Sequence, residues 1–183
     1  MSSRVNQNAE LAYGVGQLNP RRAVSPGLVY DMDNMSYVQF LCHEGYDGSS
    51  IGNLIGSKAK IDCASLLPPL VSEDAINYPT MQLTLKKKKK GITRGIFRRS
   101  VTNVGHDKSI YNATIRAPKG VNITVKPTTL SFSYASQRRS FKVTVSANFN
   151  ASKKLVVSGS LIWRSCCNIV RSPIVVVNPQ YES

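Results

Sequence analysis

Serine-hydrolase chemistry needs a serine nucleophile, a histidine base and an acid that orients the histidine. The sequence offers two histidines, His43 in the string CHEGY and His106 in VGHDK. His106 lies in a predicted turn, whereas His43 follows the apolar stripe of a predicted helix, where a protonated imidazole would favour the helix end. No serine stands in the strand-to-helix setting of an activated nucleophile. The sequence therefore predicts no catalytic residue.

The adjacent Cys166 and Cys167 are a second group of residues that could carry chemistry, through their thiols. The pair falls in a predicted turn between two strands, and neighbouring cysteines bridge each other only with strain. The two thiols either have no role or could form an intermolecular disulfide or capture a metal. Because no second Cys-x-x-Cys motif and no nearby histidine completes a zinc site, we expect no metal and no cofactor.

Asn-x-Ser/Thr sequons form a third chemical signal, because they accept N-linked glycans in secreted proteins. Asn150 lies in a predicted loop and is the best placed. Asn122 points away from the apolar face of its strand, which leaves room for a glycan, and Asn34 has a competing role as a helix cap. The candidate glycosylation sites are Asn34, Asn112, Asn122 and Asn150.

A formal net charge of +14 on 183 residues dominates the electrostatics of the chain. Such a field attracts polyanions, and salt screens the attraction. The basic residues are spread, and no aromatic residues interleave with the lysine run at 86–90, as base stacking would require. That run is typical of a solvated hairpin or loop. We expect attraction to polyanions through net charge, but no specific nucleic-acid binding.

Neither a membrane span nor a signal peptide is visible. No apolar run reaches the roughly 18 residues that a span needs, so we expect no membrane association. The first residues, MSSRVNQNAELAYG, lack the apolar core of a secretory signal. If Met1 is internal to a longer precursor, the signal would lie upstream.

Three segments of different composition must position these groups. Residues 1–31 are punctuated by glycine and proline, residues 32–74 favour helices, and residues 75–183 are rich in strands. In the helical segment, Asp33 or Asn34 would cap a helix that Gly45 ends. The residues predicted to be buried are Tyr37, Phe40 and Leu41 in this helix, and Ile51, Leu54 and Ile55 in a second short one.

Apolar residues alternate with polar ones through the third segment. Turn signals separate the runs, and Pro79 and Pro173 fit strand starts or edges. About seven short strands over roughly a hundred residues indicate an antiparallel β-sandwich. The predicted inward-facing residues are Val121, Ile123, Val125, Leu130, Phe132, Tyr134, Phe141, Val143, Val145, Leu155, Val157, Leu161 and Trp163.

Several strings of the chain are similar to successive landmarks of one family. LAYGVGQLNPRRAVSPGLVYD at 11–31 resembles the exit from the catalytic domain of plant subtilisin-like serine proteases (subtilases). The strings INYPTMQL, RRSVTNVG, YNATIRAPKGVNITVKPTTLSF, RRSFKVTVSA and GSLIW…VRSPIVV resemble the fibronectin type III-like domain at the C-terminus of these proteases. The order and spacing of the strings carry the resemblance, which covers nearly the whole chain.

The resemblance implies a mainly β fold, an antiparallel fibronectin type III-like β-sandwich. It implies a catalytic-domain remnant over 1–31, a helical connector over 32–74 and the sandwich over 75–183. The family's serine stands in Gly-Thr-Ser-Met-Ala and its histidine in His-Gly-Thr, and neither string occurs here. We therefore expect a non-catalytic fragment, not an enzyme by itself, that supports the folding, stability and substrate access of a protease domain in cis.

The resemblance also implies an extracellular place, in the apoplast or cell wall, if the chain is part of a secreted precursor. It favours a disulfide between Cys42 and Cys63, since cysteines at both positions are common in the family, although two buried thiols remain the alternative. The apolar residues of 11–31 are expected to lack an adequate partner inside the chain and to dock on a catalytic domain. The alternatives are a free-standing extracellular protein-binding module and a charge-driven polyanion binder.

Overall fold

The computed structural model describes residues 10–56, 61–66, 76–86, 91–148 and 155–179. Short helices precede a strand-rich region, as the composition predicts. The helices are α1 Glu10–Tyr13, α2 Pro20–Ala23, α3 Asn34–His43, α4 Gly48–Leu54 and α5 Cys63–Leu66. The strands are β1 Leu28–Val29, β2 Met81–Thr84, β3 Ile92–Asn103, β4 Ile110–Arg116, β5 Val121–Lys126, β6 Thr129–Ser131, β7 Arg138–Asn148, β8 Val156–Arg164 and β9 Ile169–Val177.

The strands form two sheets. One has the order β1-β3-β7-β5 and the other the order β2-β9-β8-β4-β6. The strand pairs are antiparallel except β2 with β9, which run parallel from Met81 opposite Ile174 to Thr84 opposite Val177. The predicted β-sandwich is confirmed. Pro173 precedes this parallel ladder, so its missing amide hydrogen leaves no β2 carbonyl unpaired.

The inner faces of the two sheets share one apolar core. Trp163 and Phe141 meet edge to face with ring centroids 5.2 Å apart, and Tyr111 and Phe132 do so at 5.9 Å. The alternation predicted for β5 and β7 is confirmed, since their inward residues are all buried. Tyr134 was wrongly predicted to face inward: β6 ends at Ser131, and Tyr134 lies in the following turn with 58% of its surface exposed.

The connector helices form a small apolar cluster of their own. Asp33, not Asn34, caps α3 by accepting from the backbone nitrogen of Ser36 at 2.8 Å. The buried residues of α3 are Val38 and Cys42, one turn apart. The prediction for Tyr37, which is exposed, was therefore wrong by one position, and Phe40 is only half-buried. In α4, Ile51 is buried as predicted, whereas Leu54 and Ile55 are exposed because the helix ends there. Leu41 is partly buried against the cluster.

A disulfide bond joins Cys42 of α3 to Cys63 of α5, at a sequence separation of 21. The bond lies in the cluster formed by Val38, Cys42 and Ile51, which is separate from the sandwich core. Because this cluster is small, the covalent link has to supply stability that apolar burial does not.

Reduction of the disulfide should therefore melt the connector before the sandwich. A loop of this length stabilises by about 3 kcal/mol, so amides of α3 should lose protection from hydrogen exchange while those of β7 keep theirs. A C166S/C167S background leaves Cys42 and Cys63 as the reducible pair. Equal loss of protection in α3 and β7 would contradict this independence.

Candidate docking interface at the exit segment

We call residues 11–31 the exit segment. Near its end lies β1, which is a strand of the sandwich. In β1, Leu28 pairs with Asn103 and Val29 with Thr102 of β3. The backbone nitrogen of Val104 donates to the carbonyl oxygen of Gly27 at 2.9 Å, which extends the ladder by one residue. Leu28 is buried in the core. The expectation that the apolar residues of this segment lack a partner in the chain was therefore wrong for Leu28.

Tyr30 binds the exit segment to both sheets. Its ring meets Phe141 of β7 edge to face, with centroids 6.5 Å apart. Its hydroxyl lies 2.5 Å from the hydroxyl of Ser172 on β9. Burial raises the pKa of Tyr30 above its usual 10.0, against the hydrogen bond from Ser172 and the charge of Arg99, which lower the pKa. The phenol is therefore held neutral between the sheets.

The turn before β1 packs against the β8–β9 turn. The side-chain amide of Asn168 donates to the carbonyl oxygen of Ser25 at 2.9 Å. Gly27 has a φ of +82°, and a Cβ added there would lie 2.7 Å from both the Asn168 side chain and the Tyr111 hydroxyl. Only glycine satisfies the left-handed backbone and the close approach together.

Two asparagines and an arginine fix the backbone around β1. Asn77 donates to the carbonyl oxygens of Asp31 and Ser100 and accepts from the nitrogen of Ser100, each at 2.9 Å. Asn103 is buried and spans the β3–β4 turn, accepting from Gly105 and donating to the carbonyl of His106. Buried Arg99 donates to the Tyr78 carbonyl at 2.6 Å. These roles were missed from the sequence, although INYPTMQL and RRSVTNVG contain all three residues.

The earlier part of the exit segment presents apolar side chains to solvent. Leu18 is 85% exposed and Val24 is 87% exposed, with Leu11 and Val15 also on the surface. Directly before this segment, the carboxylate of Glu10 lies 3.3 Å from the guanidinium of Arg171 on β9, and the Glu10 side chain is buried. We call Leu11, Val15, Leu18 and Val24 the apolar strip. The strip is tethered at both ends, by Glu10 and by β1.

The two histidines lie on separate elements. The His43 imidazole, at the end of α3, lies 3.7 Å from the carboxylate of Glu44. His106 lies in the β3–β4 turn, where its carbonyl oxygen accepts from Asn103 and from the hydroxyl of Ser109. In the part of the chain that the structure describes, no serine hydroxyl is hydrogen-bonded to an imidazole.

The other predicted chemical groups are dispersed over the surface. Cys166 and Cys167 are exposed in the β8–β9 turn with sulfurs 2.9 Å apart. Asn34, Asn112 and Asn122 are exposed, and the side chain of Asn112 accepts from Thr129 at 2.9 Å. Asn150 and the lysines at 87–90 lie outside the described residues. No three potential metal-ligating side chains cluster within the described ranges.

Residues 75–176 match the family model described as Fibronectin type-III domain, and the chain belongs to that family. Over nearly its whole length it is similar to plant proteases. It is 57% identical over 179 residues to Subtilisin-like protease SBT4.14 of Arabidopsis thaliana, which is 98% of this chain and 23% of the relative. It is 41% identical to Subtilisin-like protease SBT4.15 of the same plant, over 92% of this chain and 23% of the relative.

The chain thus spans about a quarter of the length of the curated relatives it matches. Among solved structures, a FixG-related protein from Vibrio parahaemolyticus aligns with a TM-score of 0.39 at 10% identity, over 46% of this chain and 78% of that chain. None of the described helices is long and apolar enough to cross a bilayer.

Gly27→Ala should loosen the attachment of β1. The left-handed backbone alone costs a residue with a side chain about 1–2 kcal/mol, and the contact with Asn168 and Tyr111 adds to that. We expect at least about 2 kcal/mol of lost stability by urea unfolding, with β1 amides exchanging faster. Gly14→Ala is the matched control, since Gly14 also has a positive φ but no atom lies within 4 Å of its added Cβ. Equal losses in the two variants would contradict the packing role.

Tyr30→Phe should change the alkaline stability profile. Above the unfolded pKa near 10.0 the unfolded state releases the phenol proton while the folded state retains it. The free energy of unfolding therefore falls as the pH rises through and beyond 10. Removing the hydroxyl should make that fall shallower and cost about 1 kcal/mol at pH 7 through the lost hydrogen bond. Tyr37→Phe, at an exposed tyrosine, should leave the unfolding free energy within about 0.5 kcal/mol.

Proposed function

We propose that this chain is the non-catalytic C-terminal portion of a subtilisin-like serine endopeptidase. Its role is to support the folding and stability of the protease domain and to shape the access of substrate to it. The observation that carries the proposal is the apolar strip, which is exposed in this chain yet anchored to the sandwich at both ends. The similarity to subtilisin-like proteases over 98% of the chain supports the same role.

The physical reason is the cost of leaving large apolar side chains in water. Burying a leucine or valine side chain gains about 1.5–3 kcal/mol, so docking of the strip would stabilise both partners. Because the strip is tethered through Glu10 and β1, docking would also fix the direction of the sandwich relative to the protease. A sandwich fixed in this way would limit how a large substrate approaches.

We propose that the chain is organised as a catalytic-domain remnant over 1–31, a helical connector over 32–74 and a fibronectin type III-like sandwich over 75–183. The pairing of β1 with β3 supports a boundary shortly after β1, since β1 belongs to the first segment in sequence and to the sandwich in its strand pairing. A secreted, extracellular setting is proposed on two grounds. The Cys42–Cys63 bond is typical of oxidising compartments, and the exposed sequons at Asn34, Asn112 and Asn122 leave glycans room.

The test is complementation in trans. The chain is co-expressed with the catalytic domain of SBT4.14, and the complex and its peptidase activity are measured. We expect a stable complex with higher soluble activity than the catalytic domain alone. L18S/V24S should weaken the complex at least about tenfold, because each lost apolar contact contributes more than about 1 kcal/mol.

L54S/I92S is the matched control, since Leu54 and Ile92 are 73% and 72% exposed but lie outside the strip. Equal weakening by both variants would point to general stickiness rather than docking. If the chain forms no complex and remains a stable monomer, the free-standing binding module is the better explanation. Phosphonate-sensitive cleavage of a peptide by the chain alone would overturn its non-catalytic role.

A further inference from the structure

The outer face of the four-stranded sheet carries a row of positive charges. Phe97, Val143 and Val125 face the core, so their neighbours along β3, β7 and β5 face outward. The register places Arg98 opposite Lys142 and Lys142 opposite Lys126. With strands about 4.8 Å apart, these three cations cross the sheet in one line. We call them the basic row.

Hydroxyl and amide groups surround the basic row. The next positions on the same face are Thr144 opposite Thr124, and beyond them Ser146 pairs with Arg94 of β3 and with Asn122 of β5. The charge of Asp33 acts on Arg138, four residues from Lys142 along β7. Four residues of strand span about 13 Å, which exceeds the Debye length of about 8–10 Å. Among the described residues, the outward positions next to Lys142 are therefore basic or carry hydrogen-bonding groups.

The opposite outer face of the sandwich differs in kind. On β8 and β9, the outward-facing Ile162, Pro173 and Val175 are buried, and Glu10 reaches Arg171 there. The polar face of β3, β7 and β5 has exposed side chains at Arg94, Thr124 and Lys126. The outer face of β8 and β9 therefore packs against other segments of the chain, whereas the exposed side chains of β3 and β5 can contact a soluble partner.

We propose that the basic row and its hydroxyl neighbours bind an acidic polysaccharide, a polymer that carries one carboxylate on each sugar. Lys142 and Lys126 lie directly opposite one another. Like charges in this position on a sheet are destabilising, and a chain of carboxylates bound along the row would relieve that repulsion. The threonine and asparagine side chains can hydrogen-bond sugar hydroxyls. The face has no aromatic residue at the outward positions named above, so it lacks a stacking platform for nucleic acid.

An anionic membrane fits the same face less well. Among its outward positions on β3, Ile92 and Ile96 are apolar and stand on either side of Arg94, whereas surface binding to bilayers requires a broad apolar face as well as charge. The proposal stands independently of docking to a protease, because the basic row and the apolar strip share no residue.

The test titrates polygalacturonate into the full chain with the Cys42–Cys63 bond formed. Its methyl-esterified form has the same backbone with its carboxylate charges removed. We expect salt-dependent binding of the acid form, none of the ester, and a higher Tm with the acid form alone. K126Q/K142Q should weaken binding about tenfold or more and lower the log–log salt slope by roughly two. It should leave the Tm of the free chain unchanged or higher.

K108Q/R116Q is the matched control, since it removes two exposed charges away from the row and should weaken binding less than about threefold. Equal weakening by both double variants would mean that net charge alone binds the polymer, and the proposed site would be wrong. Tighter binding of single-stranded DNA or of anionic vesicles than of polygalacturonate would overturn the choice of partner. In each case, complementation of a catalytic domain would be unaffected.

Discussion

The pairing of β1 with β3 is the constraint on which the arrangement of the chain depends. Two residues of strand would contribute little alone, but Gly27, Tyr30 and Asn77 each add a contact that needs β1 in that register. With β1 in place, the exit segment runs from Glu10 on one outer face to the edge of the opposite sheet. Any domain that precedes the sandwich would therefore be joined to it through a packed strand rather than a free linker.

The sandwich could be predicted because strand alternation depends on nearest neighbours along the chain. Where the residues on both sides of a position also belong to the strand, as at Val143 and Ile123, the alternation is sufficient to predict which side chains are buried. At Tyr134 the strand had already ended, and alternation alone gives no end point. In α3 the buried face is set by the position of Cys42 in the disulfide rather than by the aromatic residues. Long-range covalent geometry of that kind has no local signature.

The docking interface could be predicted only in part from the sequence, because it too depends on contacts between distant segments. The apolar character of the exit segment is plain, but whether each side chain has a partner depends on contacts made more than a hundred residues away. Leu28 and Tyr30 find partners in the chain, whereas Leu18 and Val24 are exposed among the residues that the structure describes. The polar roles of Asn77 and Asn103 are equally non-local, because their side chains satisfy backbone groups of other segments.

The two outer faces of the sandwich differ in what their side chains contact. An apolar outer face packed against other chain segments gives rigidity, since displacing those segments would expose Val175 and Ile162 to water. On the polar outer face, the described side chains of Arg94, Thr124 and Lys126 are exposed, so they can serve solubility or bind a partner. Placing Lys142 opposite Lys126 lowers stability without helping the core. A chain that needed only solubility could have interspersed acidic residues there, so the row is better explained by an anion that binds to it.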